Sequence, residues 1–191
     1  MSRLVGIDDS VLVVIDTQPG FLKEIDDAWA DDVVGRIRWL VRLARAVGVP
    51  LVVTEEEAPR NGETASPVLE VLAEGQVRHD KDAFGLVACP PIVADLERHG
   101  RGTAVLCGTE TDVCVSQSAL GLLDAGWRVV VIEDAVASPR PGHEQGLDRM
   151  RDAGVEVLGL KTLAYEWLRR VDRLDVLREV LGGEAPPGVT L

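Results

Sequence analysis

Three residues of unlike chemistry stand at punctuation points of the chain. Asp16 closes the apolar run VLVVID, Lys81 follows QVRHD, and Cys114 ends the stretch AVLCGTETDVC. A thiol, a carboxylate and an ammonium together make a nucleophile, a base for its proton and a cation that favours negative charge. Cys114 stands in the first turn of a helix begun by Thr111 or Asp112. There, exposed N–H groups and the positive end of the helix dipole favour the thiolate, the form that attacks carbonyl carbon. Cys107, in mid-strand, and Cys89, before Pro90 and Pro91, read as structural thiols. Asp16, at a strand end beside a thiol, is placed to accept the S–H proton. Asp8, Asp9, Asp26 and Asp27 read as solvated. Lys23, Lys81 and Lys161 are the only lysines among 20 basic residues, so a lysine between Asp80 and Asp82 points to a need for a compact ammonium rather than a planar guanidinium.

The elements that must position these residues alternate. Short apolar runs read as strands at Val11 to Asp16, Pro50 to Thr54, about Gln76 to His79, Thr103 to Gly108, Arg128 to Glu133 and Val155 to Leu158. Amphipathic runs between them read as helices at Asp32 to Val47, Pro67 to Glu74, Pro91 to His99, Thr111 to Ala125 and Gly142 to Ala153, with glycine close after each. This alternation predicts an α/β fold, a three-layer doubly wound sandwich around a six-stranded, mostly parallel sheet. A last helix or two should run from about Leu163 to Leu181, before a loose tail, GGEAPPGVTL. With no repeat and no linker, residues 1–191 read as one domain with its core at about 10–168.

A net charge of −12 repels a phosphate backbone, so no nucleic-acid partner is expected. No apolar run is long enough to span a membrane, and MSRLVGIDD lacks the basic-then-apolar form of a secretory signal. A cytoplasmic protein with no membrane partner is expected. The three cysteines are odd in number and show no CxxC spacing, which argues against a disulfide framework and a zinc clamp. The turn after the first strand, DTQPGF, lacks the G-x-G-x-x-G cradle of a dinucleotide site. The C-terminal residues Leu163, Tyr165, Trp167, Leu168, Leu174, Val176 and Leu177 exceed one helical stripe, which predicts a homodimer or larger homo-oligomer.

The words VVIDTQPGF, KDAFG and GTETDVCVSQSAL resemble the isochorismatase-like cysteine hydrolases, the superfamily of nicotinamidases and N-carbamoyl amidases, from about Ser10 to Leu168. The resemblance implies the strand order 3-2-1-4-5-6, which puts Asp16, Lys81 and Cys114 at one crevice beyond the strand ends. It implies Asp16 as base, Lys81 as support for the thiolate and Cys114 as the residue that forms a thioester. Gln18 completes the motif, Phe21 is a pocket wall, and a cis peptide between Thr109 and Glu110 turns the Glu110 N–H toward that of Cys114 as an oxyanion hole. The loops Gln18 to Trp29 and Glu55 to Ser66, Glu55 included, should shape the substrate pocket. The nicotinamidase branch binds a metal through an aspartate and histidines, but the loop TEEEAPRNGETA has no histidine. Carboxylates of Glu55, Glu56 or Glu57 could hold a hard cation, yet acidic runs are usually solvated. No metal and no cofactor are expected. The expected activity is hydrolysis of an amide, ureido or imide C–N bond in a small molecule. The alternatives are a vinyl-ether hydrolase of the isochorismatase type and a binding protein without turnover.

Overall fold

The computed structural model describes residues 3–177, 182–183 and 185–190. Six parallel strands form one sheet in the order β3-β2-β1-β4-β5-β6: β1 Ser10–Ile15, β2 Leu51–Glu56, β3 Arg78–Lys81, β4 Thr103–Thr109, β5 Arg128–Ala137 and β6 Glu156–Leu158. The connections carry α1 Pro19–Leu22, α2 Asp27–Val47, α3 Ala58–Asn61, α4 Ser66–Leu69, α5 Pro90–Glu97, α6 Ser116–Asp124 and α7 Gly142–Asp152, and α8 Leu160–Leu168 follows β6. The fold is thus the doubly wound α/β sandwich, in the expected strand order.

β1 lies at the centre and is buried along its whole length, which explains an apolar run with no alternation. Its residues still divide by face. Leu12 and Val14 join α2 and α8 in one core, whereas Val11, Val13 and Ile15 join α5, α6 and α7 in the other. α2 starts at Asp26, whose side chain accepts from Trp29 N at 3.3 Å, and stops at Gly48 in the left-handed region, φ 75°. It begins five residues before the expected Asp32, because Asp26, read as solvated, is the cap.

The strand order reverses between β1 and β4, and their carboxyl ends pack tightly at Gly108. Gly108 shows how close. It has φ 126°, and a Cβ there would lie 1.8 Å from Ile15 O. Only glycine fits, and the β4–β5 register slips around it, between Leu106 and Gly108. Next to it, Asp16 turns the chain out of β1 with φ 44°, a conformation that aspartate tolerates better than most residues.

β2 and β3 each run two residues past their expected ends, Thr54 and His79. Their final pairs are Glu55 with Asp80 and Glu56 with Lys81. The C-terminal region also differs. α8 begins at Leu160, Arg169 ends it with φ 58°, and residues 178–181 of the expected helix lie outside the described residues. Leu163, Trp167, Leu168 and Leu177 are buried in the chain's own core, so most of the apolar surplus there has a partner within the molecule. The tail, expected to be loose, lies against α2 where it is described. Pro186 is buried, and Pro187 O accepts from Arg36 Nε at 2.8 Å.

Candidate active site

Three strand ends and one helical turn bring the reactive groups together. Asp16 leaves β1 with no exposed surface, and its Oδ1 accepts from Thr54 Oγ1 at 2.7 Å. Its Oδ2 lies 2.7 Å from Lys81 Nζ. The Lys81 ammonium also donates to Ala83 O at 2.8 Å and Phe84 O at 3.2 Å, because the loop KDAFG wraps back over it. It also donates to Glu56 Oε2 at 3.5 Å. Cys114 is buried in a π-helical turn, Thr111–Val115, that runs into α6. Its Sγ donates to Glu56 Oε2 at 3.0 Å, and that same oxygen is 3.5 Å from Lys81 Nζ.

The site therefore holds two carboxylates, one ammonium and one thiol, and the resting thiol is not the activated one the sequence suggests. Burial pushes the Cys114 pKa well up, Asp16 and Glu56 push it further, and Lys81 opposes them without prevailing. The helix start and Lys81 do not outweigh two neighbouring carboxylates in a buried site. Burial likewise raises the Asp16 carboxyl against the pull of Lys81, Thr54 and Cys114. Burial also works against charge on Lys81, but Asp16, Cys114 and Glu56 outweigh it and hold the ammonium charged.

Glu56 is the residue that sequence reasoning missed as part of the reactive group. The run EEE reads as a solvated face, but as the end of β2 it obeys the two-residue period of a strand. Thr54 and Glu56 face the reactive group, and Glu55 between them faces away. Glu55 Oε1 accepts from both Thr64 N and Thr64 Oγ1 at 2.7 Å and pairs with Arg78 at 2.9 Å. It latches the loop after β2 to β3. The Gln18 amide is spent on backbone. Nε2 donates to Glu56 O at 3.1 Å and Gly62 O at 2.6 Å, while Oε1 accepts from Glu56 N at 2.7 Å. Gln18 thus clamps the main chain of Glu56. Phe21 is half-buried in α1.

The Thr109–Glu110 peptide is cis, and Thr109 Oγ1 donates to Asp16 O at 2.5 Å, tying the ends of β1 and β4. Glu110 is half-buried, and its carboxyl is raised by burial, then by Asp112, Glu56 and Glu24. The histidines stand apart from the thiol. His79 pairs with Asp95 at 2.5 Å, and His99 Nε2 lies 3.5 Å from the same residue. His143 Nδ1 lies 2.9 Å from Thr111 Oγ1, with its ring edge-on to Trp29. Among the described residues, the one group of three potential metal ligands is Asp16, Glu56 and Cys114, with donor atoms within 4.8 Å of one another. The Lys81 ammonium lies against two of these, 2.7 Å from Asp16 Oδ2 and 3.5 Å from Glu56 Oε2.

A buried thiol, carboxylate and ammonium at the switch point of a 3-2-1-4-5-6 sheet agree with a match of residues 10–162 to the isochorismatase domain. The chain belongs to the isochorismatase domain family. A "Secreted isochorismatase effector Isc1" of Phytophthora sojae is 32% identical over 134 residues, which are 66% of this chain and 62% of that one. Among solved structures, YcaC from Pseudomonas aeruginosa with hexane-2,5-diol and covalent acrylamide has a TM-score of 0.89 at 22% identity, over 97% of this chain and 94% of that one. The MAR1 ribonuclease from Caenorhabditis elegans has a TM-score of 0.85 at 26% identity, over 99% and 98%. The Escherichia coli YcaC gene product, described as an octameric hydrolase of unknown specificity, has a TM-score of 0.82 at 19% identity, over 96% and 93%. The solved structures share the fold and differ in described role. No described helix of this isochorismatase-domain protein is long and apolar enough to cross a membrane.

Proposed function

We propose that this protein is a cysteine hydrolase that cleaves an amide, ureido or imide C–N bond of a small molecule through a thioester on Cys114. The observation that carries this reading is the contact chain Cys114–Glu56–Lys81–Asp16, buried where a doubly wound sheet binds its ligands. The substrate carbonyl approaches Cys114 Sγ. As the S–C bond forms, the S–H proton passes to one of the two carboxylates beside it, and the carbonyl π pair moves to oxygen. The main-chain N–H groups of Glu110 and Cys114 receive that oxyanion, each such donor being worth about 3 kcal/mol in a site closed to water. Collapse expels the nitrogen leaving group with a proton, and water then hydrolyses the thioester. Lys81, held charged by Asp16, offsets the negative charge that builds up along this path.

The covalent acrylamide in the Pseudomonas YcaC structure supports a reactive side chain in this fold. A nucleic-acid substrate fits poorly, since a chain of net charge −12 with two carboxylates at the thiol repels phosphate. The reaction is proposed to need neither metal nor organic cofactor, because a thiol nucleophile needs no metal-bound water. Homo-oligomerisation is also part of the proposal, on the octameric Escherichia coli relative of the fold.

The test is ammonia or amine release from a panel of small amides, ureides and imides by the wild type, Cys114→Ala and Cys114→Ser. The proposal expects turnover of at least one member by the wild type and none by Cys114→Ala. Turnover that survives Cys114→Ala would overturn it.

A further inference from the structure

We infer that Ser138 and Asp112 are positioning residues that seat the nucleophile turn on the end of β5 and so aim the main-chain N–H groups of Glu110 and Cys114 at the substrate oxygen, an inference that rests on the cysteine-hydrolase reading above. The turn is Thr111–Val115. Glu110 closes it from the head, its carbonyl accepting from Val113 N at 3.2 Å and Val115 N at 3.0 Å. Glu110 and Cys114 therefore move as one piece, and a hold from outside the turn must fix where that piece lies.

β5 supplies the hold. The strand runs to Ala137, four residues past the expected Glu133, and pairs Ala137 with Thr109 at the end of β4. The next residue, Ser138, has no exposed surface. Its hydroxyl donates to Asp112 Oδ1 at 2.5 Å and accepts from Asp112 N at 3.4 Å. One oxygen thus holds both the side chain and the main chain of the residue two positions before Cys114. α7 closes in from another side. A Cβ on Gly142 would clash with Asp112 Oδ2, and one on Gly146 would lie 2.7 Å from Asp112 Cα. Neither glycine has a positive φ, so it is the close approach to Asp112 that requires them. Thr111 is held separately, its Oγ1 2.9 Å from His143 Nδ1. Cys114 Sγ bonds Glu56, so Ser138 and Asp112 act through the backbone of the turn rather than on the sulfur.

An oxyanion site tolerates little displacement, since a shift of about 1 Å can cost about 10²-fold in rate. Two reactions of Cys114 differ in their need for it. With p-nitrophenyl acetate, sulfur bonds to the acetyl carbon and its proton passes to a carboxylate beside it. The carbonyl π pair moves to oxygen, then returns as p-nitrophenolate leaves. With iodoacetamide, sulfur loses the same proton and displaces iodide from a saturated carbon, and no oxyanion forms. The ratio of acetylation to alkylation at Cys114 therefore reports where the two N–H groups lie.

The test measures that ratio, by mass spectrometry of the peptide carrying Cys114, in the wild type, Ser138→Ala, Asp112→Asn and Gly142→Ala. Ser138→Ala removes both bonds to Asp112, while Thr111 stays anchored to His143. The ratio should fall by about 10²-fold. Asp112→Asn keeps an acceptor oxygen and the main-chain N–H, and should retain most of the ratio. Gly142→Ala removes no partner but pushes on Asp112 Oδ2. It should lower the ratio as well, and it carries the test if Ser138→Ala does not fold. A merely structural role would slow both reactions together, so a ratio within about threefold of the wild type in a folded Ser138→Ala or Gly142→Ala protein overturns the inference while leaving the hydrolase reading intact. Wild-type Cys114 that iodoacetamide modifies but p-nitrophenyl acetate never acetylates would instead sink the hydrolase reading, and the inference with it.

Discussion

Lys81 has a compact ammonium, and four oxygens lie within 3.5 Å of its nitrogen, on Asp16, Ala83, Phe84 and Glu56, around a side chain with no exposed surface. A guanidinium is planar and wider and cannot direct its donors to such a cluster. Lys81→Arg keeps the charge but should lower kcat by about 10²-fold or more, measured on whichever panel substrate turns over. Activity close to wild type would reduce Lys81 to a bystander. The thiol makes a second prediction with a definite sign. Burial, then Asp16, and also Glu56 raise the Cys114 pKa, so its thiolate is scarce wherever an ordinary thiol is already ionising. Iodoacetamide should therefore modify Cys114 more slowly than free glutathione at about pH 8, and the rate should climb only on the alkaline side of the ordinary thiol pKa of about 8.5. A modification midpoint below that value would contradict the two-carboxylate environment.

At the scale of elements, the crevice depends on how closely β1 and β4 approach at their carboxyl ends. Gly108→Ala would drive a Cβ to 1.8 Å from Ile15 O, and neither strand can yield without breaking the β1–β4 ladder. The substitution should cost about 3 kcal/mol or more, seen as a lower urea midpoint with an unchanged slope. A loss under about 1 kcal/mol would mean that the two strands can part there. The strand ends were legible because each apolar run stops at a change of residue type, so the sequence already places Asp16, Lys81 and Cys114 at one edge. What was not legible is how far β2 runs. TEE continues the strand, but three acidic residues in a row look solvated, and only pairing with β3 shows Glu56 opposite Lys81. The role of Gln18 was hidden for a related reason. Its partners are main-chain groups of Glu56, 38 positions away, and residue type alone does not announce such a bond. Glu55, expected in the pocket, bonds Thr64 and Arg78 by the same parity that brings Glu56 to the thiol.

At the scale of the whole molecule, the chain spends most of its apolar C-terminal residues on its own core, so that region no longer argues for a partner. The proposed homo-oligomer predicts that light scattering at micromolar concentration gives a mass at least twice 20.6 kDa. A monomer under those conditions would contradict it. Dialysis against EDTA should leave turnover unchanged. Loss of activity that a divalent cation restores would recast Asp16, Glu56 and Cys114 as metal ligands. The central claim is that Cys114 becomes acylated by substrate, and mass spectrometry of the intact protein quenched in acid during turnover of pooled amides tests it most directly. The account predicts a mass gain equal to one acyl group, mapped to the peptide carrying Cys114 and absent from Cys114→Ala. Turnover with no adduct on Cys114, or with the adduct on Cys89 or Cys107, would contradict it.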